Sequence, residues 1–191
     1  YMPNHNGSAS RTYRLNRITG TPAAPVYTQG SLIAHTVLPA WTQPLNDILP
    51  QSGGNPINVG DSRIINAVFR GGNIYYAQTV GIPGGALTHT GAQWVKLNTS
   101  GVFVDGGRIE DPTATSSNGG KWYAYTSIAV NVMDDLLIGF SEFSSAQFPG
   151  AGYVFRDRAD AAGTTRDPLV YKAGLGNYFK TFGGGRNRWG D

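Results

Sequence analysis

Along most of the chain, short runs with apolar residues at every second position alternate with polar, glycine-bearing turns. Runs of this length, rich in Val, Ile, Tyr and Phe, predict half-buried β-strands, and no 3.6-residue apolar stripe long enough for a helix interrupts them. The clearest instance occurs twice. Residues 66–79 and 128–141 each hold an apolar run, a polar turn and a second apolar run ending in a hydroxyl residue. The turns Gly71-Gly72-Asn73 and Met133-Asp134-Asp135 carry residues that accept tight hairpin geometry. A third strand follows each hairpin, anchored on Trp94 in residues 93–98 and on Tyr153 in residues 152–157. A fourth closes each unit, at residues 102–105 and 169–172. The repeat period is about 60 residues. Residues 61–105 and 125–172 are therefore each expected to form a four-stranded antiparallel unit. Val68, Ile74, Trp94, Val130, Leu136, Ile138 and Tyr153, the apolar positions shared by both copies, are expected to be buried.

The flanks fit the same scheme. Residues 12–17 resemble residues 93–98, Pro25-Val26-Tyr27 can close that sheet, and Gly190-Asp191 matches Gly60-Asp61. The expected organisation is the end of a preceding blade at 1–31, a Pro-rich inter-blade insertion at 32–60, blades at 61–124 and 125–180, and the start of a further blade at 181–191. The fold class is all-β: antiparallel four-stranded blades of a β-propeller, as an incomplete fragment. Such a fragment leaves apolar faces bare at both ends, or covers them with other chains or with missing blades of the same protein. The alternative is a β-sandwich with accidental self-similarity. Pro39, Pro44, Pro50 and Pro56 forbid a regular central strand or a long helix in the insertion, leaving room for one helical turn at 45–49.

Composition agrees with short strands and many turns: of 191 residues, 27 are glycine, 12% aromatic and only 14% charged. The net charge of +3 is scattered, with Arg11, Arg14 and Arg17 as the one local cluster, so a nucleic-acid face is not expected. The chain has no cysteine, which excludes disulfides and thiolate metal sites. No apolar run approaches the ~20 residues of a membrane-spanning helix. The opening Tyr1-Met2-Pro3-Asn4-His5 lacks the basic start and apolar stretch of a leader, so an exported protein would have lost its leader or carry it outside this sequence.

Three stretches carry a family resemblance: residues 60–68, the run Ile138-Gly139-Phe140-Ser141, and above all Phe182-Gly183-Gly184-Gly185-Arg186-Asn187-Arg188-Trp189-Gly190-Asp191. Over about residues 60–191 the chain resembles large exported bacterial proteins with sialidase-like β-propeller repeats. The resemblance implies a secreted or cell-surface location and continuation into another blade. Sialidase-like enzymes carry Asp-boxes on their outer hairpins; here the turn Val130-Asn131-Val132-Met133-Asp134-Asp135 lacks the glycine and the closing aromatic. No catalytic residue is therefore carried over. The expected function is an exported structural or adhesive binding module that takes carbohydrate, with a sialidase-like glycoside hydrolase as the alternative.

Hydrolysis of that kind would need converging arginines, a tyrosine nucleophile with a glutamate partner, and an aspartate. Arg63, Arg108, Arg156 and Arg188 are available, with Tyr125, Glu142 and Asp61. Asp61 with Arg63, two apart on an expected strand, and Arg188 with Asp191 are read as structural ion pairs that fix the register between blades. Trp122 and Trp189 follow polar, glycine-rich turns; with Arg188 they are the candidate ligand-binding residues, since exposed aromatics stack on sugar rings. His5, His35 and His89 stand isolated without metal spacing. No cofactor is expected; calcium is the one ion for which turn oxygens exist, at Asp134-Asp135 and at Asp157 with Asp160. Gly183-Gly184-Gly185 lacks the Lys-Ser/Thr of a phosphate loop and reads as an inter-blade turn.

Overall fold

The computed structural model describes residues 1–5, 12–34, 36–182 and 186–189. Among them the chain is all-β, without a helix. An N-terminal sheet comprises β1 (Met2–His5), β2 (Thr12–Thr21), β3 (Ala24–Thr28) and β4 (Ile33–Ala34), with β2 pairing all three others. A small ribbon follows, β5 (Asp47–Leu49) with β6 (Ile57–Asn58). The middle sheet is a meander of β7 (Asn66–Arg70), β8 (Asn73–Ile82), β9 (His89–Asn98) and β10 (Phe103–Ile109). A second meander repeats it with β11 (Trp122–Val130), β12 (Leu136–Ser144), β13 (Gln147–Arg156) and β14 (Leu169–Lys172). The described chain closes with β15 (Thr181–Phe182) and β16 (Arg186–Asn187).

The repeat visible in the sequence is thus two antiparallel four-stranded sheets. Their hairpins are built differently. Gly71 and Gly72 have φ of +55° and +75°, the conformation a two-residue hairpin turn needs to follow strand twist. In the longer turn, the Asn131 side-chain carbonyl accepts the backbone N–H groups of Met133 at 2.8 Å and Asp135 at 2.9 Å, while Asp134 takes φ +75°. A Cβ on Gly72 would meet nothing within 4 Å, so only backbone strain opposes one. Gly72→Ala is expected to cost about 1 kcal/mol in unfolding free energy, the price of a left-handed L-residue. A denaturation midpoint equal to that of the parent would show that the turn relaxes freely.

β8 and β9 are buried on both faces, where a two-layer sandwich would leave one face wet. One face of the middle sheet, through Tyr76, Val95 and Leu97, packs on Tyr13 of β2 and on Leu38. The other, through Tyr75, Ala77 and Trp94, packs on Ile128, Val130, Leu136, Ile138 and Val154 of the last sheet. Three sheets therefore stack in series. Polar links lock the second junction. Asn66 exchanges two hydrogen bonds with the Ile128 backbone (3.0 and 3.1 Å), and Lys96 and the Tyr75 hydroxyl both donate to Asp134 at 2.5 Å. Arg156 on β13 pairs with Asp105 on β10 at 2.7 Å and lies over the Trp94 ring, 5.3 Å from its centroid.

Several expectations need correction. Ile74, Trp94, Val130, Leu136 and Ile138 are buried as expected, but Val68 and Tyr153 are only half-buried. Val68 lies on the edge strand β7, where fewer neighbours cover it. The helical turn expected at 45–49 is the strand β5, because Leu49 is drawn into the core opposite Ile57. The Pro-rich segment is not a bare insertion: Trp41 packs on Val80 and Ile82, and Thr42 exchanges two 2.8 Å backbone hydrogen bonds with Gly81. Apolar side chains do remain exposed on both outer sheets, Ile18, Val26 and Tyr27 at one end and Leu137, Leu169 and Tyr171 at the other. No helix among the described residues is long and apolar enough to cross a membrane.

Candidate functional site

Where β11 passes over the middle sheet, its ladder with β12 slips by one residue between Ala124 and Ser127. Two residues, Tyr125 and Thr126, then face one, and Tyr125 takes φ +55°. A bulge of this kind re-aims a side chain, and a left-handed tyrosine is a strained conformation that surrounding contacts must hold. They do so here: the Tyr125 N–H donates to the Thr79 hydroxyl at 3.0 Å, and its own hydroxyl donates to the Asn58 carbonyl. The ring projects towards the segment that follows β6. That segment is shaped by Asn58, whose side-chain carbonyl accepts the Gly60 N–H at 3.0 Å and whose amide donates to Asp47 at 2.8 Å. Gly60 (φ +71°) turns the chain so that Asp61 and Arg63 come alongside.

Arg188, bridged through its backbone to Asn58, and Trp189 close the other side. The result is a cleft of about 380 Å³, lined by Asp61, Arg63, Thr79, Tyr125, Arg188 and Trp189 among others. Trp189 is fixed by edge-on contacts with Phe143 (centroids 5.6 Å) and Tyr178 (4.8 Å), and its indole N–H donates to the Ser141 hydroxyl at 3.0 Å. Asp61 accepts both the backbone N–H of Arg63 (2.8 Å) and its Nε–H (2.9 Å). That hydrogen bond and the Asp61 charge raise the Arg63 pKa further, so the guanidinium stays charged.

The structure brings together five of the residues singled out from the sequence: Asp61, Arg63, Tyr125, Arg188 and Trp189. The Asp61–Arg63 pair forms, but it lies in a bend before β7, not on a strand, and the Arg63 side chain is 81% exposed. It cannot fix register between sheets; the buried Asp105–Arg156 pair does that, and sequence spacing gave no signal for it because the partners lie on different sheets. Asp191, the expected partner of Arg188, lies outside the described residues, as do Arg11, His35, Gly183-Gly184-Gly185 and Gly190. Nothing is described of the His5 side chain.

Trp122 is no surface platform. It is 2% exposed, sits opposite Phe143 in the β11–β12 ladder, and donates its indole N–H to the Thr115 carbonyl at 3.2 Å. Tyr125, which the sequence offers only as an available tyrosine, takes its place in the cleft because of the bulge.

The set needed for sialoside hydrolysis is only partly assembled: Asp61, Arg63, Tyr125 and Arg188 line the cleft, while Glu142, Arg108 and Arg156 lie elsewhere. Glu142 borders a separate depression and is held by Lys121 and by the Gln147 amide, each at 2.7 Å. Arg108 is turned to Gln93 and to the Pro39 and Ala40 carbonyls, and Arg156 to Asp105. Among the described residues no group of three or more His, Asp or Glu converges as a metal site. The carboxylates weighed for calcium are engaged otherwise: Asp134 by Lys96 and Tyr75, Asp135 by Asn131 and the Arg158 N–H, and Asp157 and Asp160 by Arg166. His89 is buried beside Thr88 and Glu110. Compared with protein-family models, with curated proteins and with solved structures, the chain finds no match.

Proposed function

We propose that this chain is a part of an exported, adhesive or structural binding module built from β-propeller blades, and that the cleft beside Tyr125 takes carbohydrate. One observation carries the binding reading: the Trp189 indole, the Tyr125 ring and two arginines meet one carboxylate in a single open cleft. Its volume falls in the range of small-molecule sites, and its make-up is the mixture such sites use, apolar surface with a few fixed polar groups. An aromatic face packs on the C–H surface of a pyranose, while guanidinium and carboxylate groups bond its hydroxyls. The blade reading is supported by the serial stacking of sheets and by the doubly buried middle sheet. Binding is favoured over sialidase-like hydrolysis because that chemistry sets a glutamate beside the tyrosine nucleophile, whereas Glu142 borders a separate depression and is held by Lys121 and Gln147. Among the described residues lining this cleft, Asp61 is the one carboxylate, and it is paired with Arg63.

The test is binding to a broad panel of neutral and acidic oligosaccharides by array and calorimetry. Trp189→Ala is expected to weaken binding about tenfold, the scale of one aromatic stacking contact. Because Trp189 also packs on Phe143, Arg63→Ala serves as a second variant at an exposed position, with a smaller loss expected. Absence of binding across the panel, or affinities indifferent to both substitutions, would overturn the carbohydrate reading.

A further inference from the structure

The three stacked sheets share one device. An aromatic residue on the third strand of each unit, or on its counterpart, reaches across to the next sheet. Tyr13 of β2 packs on Tyr76, Val95 and Leu97, and Trp94 of β9 packs among Ile128, Val130, Leu136, Ile138 and Val154. The corresponding residue of the last sheet is Tyr153: it pairs with Gly139 in the β12–β13 ladder, as Trp94 pairs with Ala77 in β8–β9. The surface around it matches position for position. Leu137 stands where Tyr75 stands, two residues before the paired glycine or alanine.

In the middle sheet this face is buried against its neighbour. In the last sheet Ser127, Ala129, Leu137, Gly139, Tyr153 and Tyr171 line an open groove of about 540 Å³, with Leu137 46% and Tyr171 78% exposed. A further match lies two residues along the same strand. The Thr79 hydroxyl, two residues past Ala77, receives the N–H of Tyr125 from the following sheet; the Ser141 hydroxyl, two residues past Gly139, receives the indole N–H of Trp189.

We infer that this groove is the seat of a further four-stranded antiparallel sheet of the same protein, presenting an aliphatic face like that of Ile128, Val130, Leu136, Ile138 and Val154. The inference rests on the blade reading above and is independent of the carbohydrate reading. A second copy of the described chain is disfavoured, since its exposed N-terminal sheet sets Asn4 opposite Arg14 beside Ile18 and Tyr27, a mixed surface and not the continuous aliphatic face that covers the equivalent positions of the middle sheet.

The chain has no cysteine, so a thiol introduced into it is assigned to its position by mass spectrometry of the labelled peptide. In the protein as its source makes it, three variants are compared by maleimide labelling: Leu137→Cys in the groove, Val154→Cys at the existing junction, and Val132→Cys in an exposed turn. Both of the first two thiols are expected to react at least about tenfold more slowly than the third, as covered positions open only by local unfolding. If position 137 reacts as fast as position 132 while 154 stays protected, the inference falls and the stacked-blade reading stands. If 137 and 154 both react fast, the blade reading falls as well. Protection at 137 that disappears on dilution identifies a second copy and overturns the inference. A benzophenone attached at position 137 maps the cover: an alternating aliphatic strand supports the inference, and a helical segment overturns it.

Discussion

Trp94→Ala is expected to lower the unfolding free energy by about 3–5 kcal/mol, the range for removing a buried Trp or Phe. Trp94 is 1% exposed, wedged between the middle and last sheets, and covered by the Arg156 guanidinium. Truncation leaves a cavity that strands of two separate sheets border, and neither sheet can collapse into it without disturbing its own ladder. Urea denaturation followed by tyrosine fluorescence and by far-ultraviolet circular dichroism measures the loss. A cost below about 1 kcal/mol would show that the junction is soft, and that the aromatic is not what holds the two sheets in place.

Asp105→Ala should cost a comparable amount, about 3–5 kcal/mol, for a different reason. The substitution removes a carboxylate that pairs with buried Arg156 at 2.7 Å and also accepts the N–H groups of Gly106 and Gly163, both at 2.8 Å. The guanidinium is then left buried without its counter-charge, which is the expensive outcome. Adding Arg156→Met removes the stranded charge and is expected to recover a large part of the loss, so the pair should be strongly non-additive in a double-mutant cycle. Additive losses would mean that Asp105 acts through its backbone hydrogen bonds and not through the ion pair.

The strands and their order were legible because they are written in local chemistry. Period-two apolar runs set the strands of both meanders, and Gly71-Gly72 set the tighter turn. The aromatics Trp94 and Tyr153 marked equivalent third strands because the same backbone needs the same kind of residue at the same pleat position. Local chemistry also accounts for the limits of Asp61 with Arg63. Two residues apart, they find each other in a bend as readily as on a strand, so spacing alone could not tell a surface pair from a buried clamp.

What lay beyond the sequence is which surface covers which. A period of two assigns a side chain to a face but does not say whether a neighbour lies over that face. Trp94 and Tyr153 are written alike, yet one is enclosed and the other borders an open groove. Trp122 and Trp189 both follow glycine-rich turns, but Trp122 faces the interior opposite Phe143 while Trp189 reaches the cleft. The cleft joins residues 61, 63, 125, 188 and 189, which meet only when the chain after β6, the bulge in β11 and the chain after β16 arrive at one place. That convergence depends on sheet stacking and on a one-residue slip in a ladder. Both are decided by packing between elements far apart in the chain, and no turn or periodicity records them.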